Sequence, residues 1–195
     1  MPVPNKTLLL FIVLIAGLAA LHACSEQQPV TYESLIEKGL DSGERHDTLF
    51  LGYHFGMTRQ DFQTSSWEMN REGIITGLTK VEYTNRDWLP FEAYIEFFPD
   101  FEDGKISRLP LDIHYRDWAP WNQNRFSDSL ATELAQHFAQ VYGQDFHWMF
   151  LPEADREGWF SVRGNRAISV WRRDDMWVRA VFRDLTVDAD IPEGR

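Results

Sequence analysis

The stretch "AISVWRRDDMWVRAVF", Ala167 to Phe182, permits few folds. Two alternating segments flank Asp174-Asp175, and a link that short cannot carry a crossover helix. The segments must therefore pair as an antiparallel hairpin, with Ile168 and Val170 opposite Val178 and Ala180 or their neighbours. The same reasoning applies to Gly164-Asn165, between Trp159–Arg163 and Arg166–Arg172, and to Asp103-Gly104, between Glu92–Phe98 and Ile106–Tyr115. Thr79–Thr84, Phe146–Phe150 and Met176–Arg183 complete the strand-like segments. A sheet joined by such turns is antiparallel, and no alternating βαβ order of a nucleotide-binding fold is present.

Two stretches have helical spacing. Thr58-Arg59-Gln60-Asp61 fits a capping box, and Met57 and Phe62 occupy the positions of a hydrophobic staple. A helix over Arg59–Asn70 follows, ended by Gly73. In the second half, Ser127 or Ser129 caps a helix that reaches Tyr142 and stops at Gly143. Its apolar stripe is Leu130, Leu134, Phe138 and Val141. The fold class is thus α+β, an antiparallel sheet with helices packed on one face. The order helix–strands–helix–strands also suggests two tandem helix-plus-hairpin units, residues 48–116 and 121–185, within a body spanning 48–185. Residues 24–47 read as a tether with a short helix at Tyr32–Lys38, and 186–195 as a tail.

The chain's one cysteine lies ahead of this body. From Leu8 to Leu21 runs an apolar stretch of 14 residues. It is short of the roughly 20 residues that span a bilayer, and suits the apolar region of a signal peptide over residues 1–23. It ends in Leu21-His22-Ala23-Cys24, which resembles the lipobox of bacterial lipoproteins. That resemblance implies cleavage before Cys24, acylation of the cysteine and a membrane anchor. Ser25 follows where an Asp often marks inner-membrane retention, so the implied address is the outer membrane, facing the periplasm or the cell surface.

The segment "FGMTRQDFQ", Phe55 to Gln63, resembles the Gly-Met-Thr helix start of the BamE/SmpA family of small outer-membrane assembly lipoproteins. The family's Gly-x-Pro beyond the first helices is replaced here by "SSWEMNREG". The resemblance implies helices on a small antiparallel sheet and an accessory scaffold role.

Once the signal is removed, 18 basic side chains face 30 acidic ones. That balance argues against nucleic acid as a partner. Fourteen Phe, eight Trp and six Tyr suffice for a core and exclude disorder over most of the chain. A single thiol forms no internal disulfide.

Catalytic chemistry leaves no mark. His46, His54, His114, His137 and His147 show no zinc-ligand spacing. "PDFEDGK" would put Pro99 and Phe101 where calcium needs oxygen, so it is a hairpin turn. There is neither a Gly-x-Ser-x-Gly elbow nor a phosphate-cradling glycine loop. A glycosidase carboxylate pair is not excluded by spacing. The chain is read as a non-enzyme without cofactor or metal, binding another envelope protein as an accessory or inhibitor. The alternative is a glycan- or small-ligand-binding lipoprotein. Its binding surface would be Trp118 and Trp121 in "RDWAPWNQN", with Asp117 and Asn122, since connector tryptophans are not needed by the core.

Overall fold

The computed structural model describes residues 30–77 and 79–187. The signal segment, Cys24 and the tail beyond residue 187 lie outside the described residues. From Thr31 onward the chain forms one compact unit.

The hairpin expected over Ala167–Phe182 is present. Strand β8 (Arg166–Arg172) pairs with β9 (Val178–Asp184), with Val170 opposite Ala180 and Ile168 opposite Phe182. Before β8 come β6 (His147–Leu151) and β7 (Arg156–Arg163). The first half supplies β1 (Ile75–Thr76), β2 (Val81–Asn85), β3 (Ala93–Phe97), β4 (Asp100–Glu102) and β5 (Lys105–Tyr115). All pair antiparallel in one sheet ordered β1-β2-β3-β5-β9-β8-β7-β6, with β4 hanging on β5. Strand β4 is additional to the expected segments. It exists because Asp103 and Gly104 both take positive φ, 48° and 74°, and fold the chain back within two residues.

Among the described residues three α-helices accompany the sheet: α1 (Tyr32–Asp41), α2 (Arg59–Arg71) and α3 (Ser127–Tyr142). Thr58 caps α2 as expected, its Oγ1 accepting from Asp61 N, and Met57 and Phe62 are both buried. Helix α3 differs in detail. Phe126 holds the cap position without a side-chain bond, while Ser127 turns inward and donates to Asp174 O at 2.5 Å. The buried stripe is Leu130, Leu134, Phe138 and Tyr142, and Val141 is exposed. Tyr142 continues the i+4 steps from Leu130 through Leu134 and Phe138, and its ring packs edge-on against Phe182.

Side-chain alternation assigns the two faces of the sheet. Ile95, Phe97, Leu111, Ile113, Val178, Ala180 and Phe182 share one core with Phe62 of α2 and Leu130, Leu134 and Phe138 of α3. Phe160, Ala167 and Val181 point the other way, into a second core with Tyr32 and Ile36 of α1. Helices thus lie on both faces, and the one-face arrangement does not hold for α1.

Within the segment read as a tether, the short helix expected at Tyr32–Lys38 runs from Tyr32 to Asp41 and packs on the sheet. Thr31 and Ser34 form a reciprocal capping box that starts α1, and Tyr32 stacks on Phe160 at 4.4 Å. Beyond α1 the chain is strapped down. His46 N donates to Asn165 Oδ1 at 2.7 Å, Arg45 pairs with Asp184, and the buried Arg166 donates to Thr48 O. Under α1, Arg183 donates to the Tyr32 hydroxyl and lies 3.6 Å from Glu153, which accepts from Ser169. Burial pushes the Tyr32 phenol up to about 12, with Arg183 opposing the rise and Glu153 adding to it.

Two outcomes test this docking. A Cβ on Gly39 would stand 2.4 Å from Val162 Cγ1 and 2.8 Å from Gly164 O. Gly39→Ala should therefore lose about 1 kcal/mol net in urea unfolding, because overpacking outweighs the roughly 1 kcal/mol gain in helix propensity. A rise in stability would show that α1 does not press on β7. Secondly, an unfolded tyrosine ionises near 10, roughly two units below the folded Tyr32. Its contribution is thus complete below pH 10 and lost as pH climbs toward 12. The urea midpoint should fall across that window, and Tyr32→Phe should flatten the fall.

Candidate functional site

Helix α1 covers the outer face of the second half, and among the described residues no helix covers the outer face of the first half. The side chains there are fixed by register. Tyr94 stands opposite His114 on β3 and β5, and Asp112 stands opposite Arg179 on β5 and β9. His114 packs against Tyr94 at 5.5 Å and meets the Trp177 ring at 4.3 Å, with 61° between the planes. Its Nδ1 donates to Tyr115 O at 2.9 Å, which sets the ring orientation. The result is an aromatic row across the open sheet, half-buried and rigid.

Next to that row, Asp112 accepts from two arginines. Arg179 grips it side-on, Nε to Oδ1 at 2.7 Å and Nη2 to Oδ2 at 2.9 Å, and Arg173 adds Nη1 at 2.8 Å. Such fork contacts are strong, directional hydrogen bonds. A cleft of about 280 Å³ opens there, lined by Glu153, Ala154, Arg156, Trp171, Arg173 and Arg179.

The connector residues separate into two roles. Trp118 is half-buried: its Nε1 donates to Asp175 O at 3.1 Å and its ring lies 6.1 Å from Phe126. It pins the β8–β9 turn to the connector. Trp121 is 85 % exposed, so the two indoles do not form one platform. Asn122 donates to the backbone oxygen of the exposed Asp117 at 3.3 Å, closing the loop between them.

The sheet's far edge carries a feature that sequence reasoning missed. On β6, Trp148 and Phe150 are 50 % and 53 % exposed on the same face. Trp148 rests edge-on against Trp159 of β7 at 5.3 Å. The alternation of "HWMFL" carried the signal, but that β6 is terminal in the sheet follows only from the strand order.

No acid–base pair suited to catalysis emerges from the shifted groups. Burial, then the hydrogen bond it donates to Glu133, pushes the Tyr115 phenol far up, so it serves as a neutral donor. Burial pushes His137, stacked on Trp88 at 4.1 Å, downward. Among the described residues no three His, Cys, Asp or Glu side chains converge to hold a metal ion, and no helix is long and apolar enough to cross a membrane.

Replacing each connector indole should separate their roles. Trp118→Ala is expected to cost about 1–2 kcal/mol in chemical denaturation, through its lost packing and hydrogen bond. Trp121→Ala should stay within about 0.5 kcal/mol of the parent. No protein-family model matches the chain, and comparison with curated proteins and with solved structures likewise finds no match.

Proposed function

We propose that this protein is an outer-membrane lipoprotein held by acyl chains on Cys24, and that it binds another envelope protein as a non-catalytic accessory or inhibitor. The observation that carries the binding role is the β6 edge. Sheet edges in folded proteins are guarded by charge, proline, bulges or brevity, because unpaired backbone groups invite another strand. The opposite edge, β1, is two residues long. Strand β6 has five residues, no formal charge on Trp148 to Leu151, and two half-exposed aromatics. An extended segment of a partner would take its main-chain bonds there and rest apolar side chains on Trp148 and Phe150.

The strand order supports the tandem-unit reading. Counted inward from each edge, β1-β2-β3-β5 and β6-β7-β8-β9 meet at β5 and β9, and each set follows a helix, α2 or α3. Two helix-plus-sheet units joined through their last strands would give this order. The anchor rests on Leu21-His22-Ala23-Cys24, and the accessory role accords with the Gly-Met-Thr resemblance at Phe55–Gln63. A second reading, a glycan-binding lipoprotein, is favoured by Trp121 alone, whose exposed ring offers a face for stacking on a sugar.

Mild crosslinking in cells, followed by isolation of the full chain from detergent-solubilised outer membrane and mass spectrometry, tests the proposal. The expected result is one dominant partner, lost in Phe150→Lys and weakened in Cys24→Ser, which should leave the membrane fraction. A wild-type protein found outside that fraction removes the anchor. An anchored protein without a partner removes the accessory role, and quenching of tryptophan fluorescence by a saccharide, absent in Trp121→Ala, would then establish the second reading.

A further inference from the structure

We infer that the cleft between Arg156, Arg173 and Arg179 is a binding site for a compact oxyanion, a carboxylate or phosphate group carried by a ligand. The first ground is charge. In a chain with 30 acids and 19 bases, three guanidinium groups line one cleft of about 280 Å³. Among the described residues, Asp112 is the one carboxylate that Arg173 and Arg179 engage. The acid of the lining itself, Glu153, is turned to Ser169 and Arg183. The cleft therefore keeps a positive excess.

The second ground is preorganisation. Arg156 has no carboxylate within ion-pair distance among the described residues. It is held instead by backbone oxygens, Nη1 to Arg172 O at 2.7 Å and Arg173 O at 3.2 Å, and Nε to Ala154 O at 3.2 Å. Neutral carbonyls fix the cation without cancelling it. Those bonds use Nε and Nη1 and none uses Nη2, on a side chain that lines the cleft. Arg173 engages Asp112 through Nη1 alone, and its side chain is half exposed. Arg173 N donates to Trp177 O at 2.8 Å, so the turn presenting it is itself tied down. A ligand oxyanion would meet donors already in place, and the side-chain ordering that weakens surface ion pairs has been met by the fold. The planar forks suit the paired oxygens of carboxylate and phosphate.

The test follows the arginine Nε–Hε signals of the full acylated chain in neutral detergent micelles by NMR. Inorganic phosphate and succinate are added separately at constant ionic strength, with chloride as reference. A saturable shift of the Arg156 and Arg179 signals is expected with at least one probe. Half-saturation should weaken about tenfold in Arg173→Gln, the cost of one charge-assisted hydrogen-bonding group. Arg173→Lys should recover only part of the loss, because it keeps the charge and not the fork. Saturation by phosphate alone would assign a phosphate-bearing ligand, and saturation by succinate would assign a carboxylate-bearing one. A linear response no different from chloride, or a saturable one unchanged in Arg173→Gln, would overturn the site. The dispersed amide spectrum of each variant reports folding, and Arg156→Gln provides an independent second variant.

Discussion

The structure depends on the pairing of β5 with β9. These are the last strands of the two halves, and their register sets Leu109 against Phe182, Leu111 against Ala180 and Ile113 against Val178. All six side chains are fully buried. Without that seam the first half would be a five-stranded sheet and the second a four-stranded one, each with an open inner edge and half a core. With it, Phe62 of α2 and Leu134 of α3 close over one continuous apolar layer. The seam joins residues about 70 positions apart, so its loop-closure cost must be met before either half gains from the other.

Much of this could be anticipated wherever the determining interactions are local. The hairpin of β8 and β9, the Asp103-Gly104 turn, the Thr58 cap and the Gly143 stop all rest on residues within a few positions of one another. What escaped was set at long range. A short helix at Tyr32–Lys38 is legible in the sequence, but its docking is not: Tyr32, Leu35 and Ile36 pack with Phe160, Ala167 and Val181, which come from the far half. Ser127 resembles a cap until Asp174 and Arg172 are brought to it by the β8–β9 turn. Among the candidate residues, Trp118 and Trp121 share a composition and a loop, yet one is pinned by Asp175 and the other projects into solvent. No local pattern distinguishes them.

The open aromatic row and the arginine cleft follow from an asymmetry. If the halves are equivalent units, each outer face should be covered or bare alike. Helix α1 lies N-terminal to both and packs on the second half alone, where small Ala167 and Ser169 leave room beside Phe160. The corresponding outer face of the first half carries Tyr94, Glu96, Asp112 and His114. These residues tolerate water and would resist a helix laid over them. The polar character of that face is therefore written into β3 and β5 themselves.

The same asymmetry decides where charge collects. At the border between the covered and bare faces, β9 passes from Val181, under α1, to Arg179, beyond it. An apolar residue at 179 would extend the second core onto a face with no helix to cover it. An arginine there needs an acid across the register, and Asp112 supplies it. One arginine would satisfy that need. Arg173 and Arg156 go beyond it, and the backbone carbonyls that fix Arg156 hold a cation at the border with no structural anion to match. The excess charge sits where the fold's own requirement for charge has already been met, which is why the cleft reads as a site for a ligand rather than as part of the scaffold.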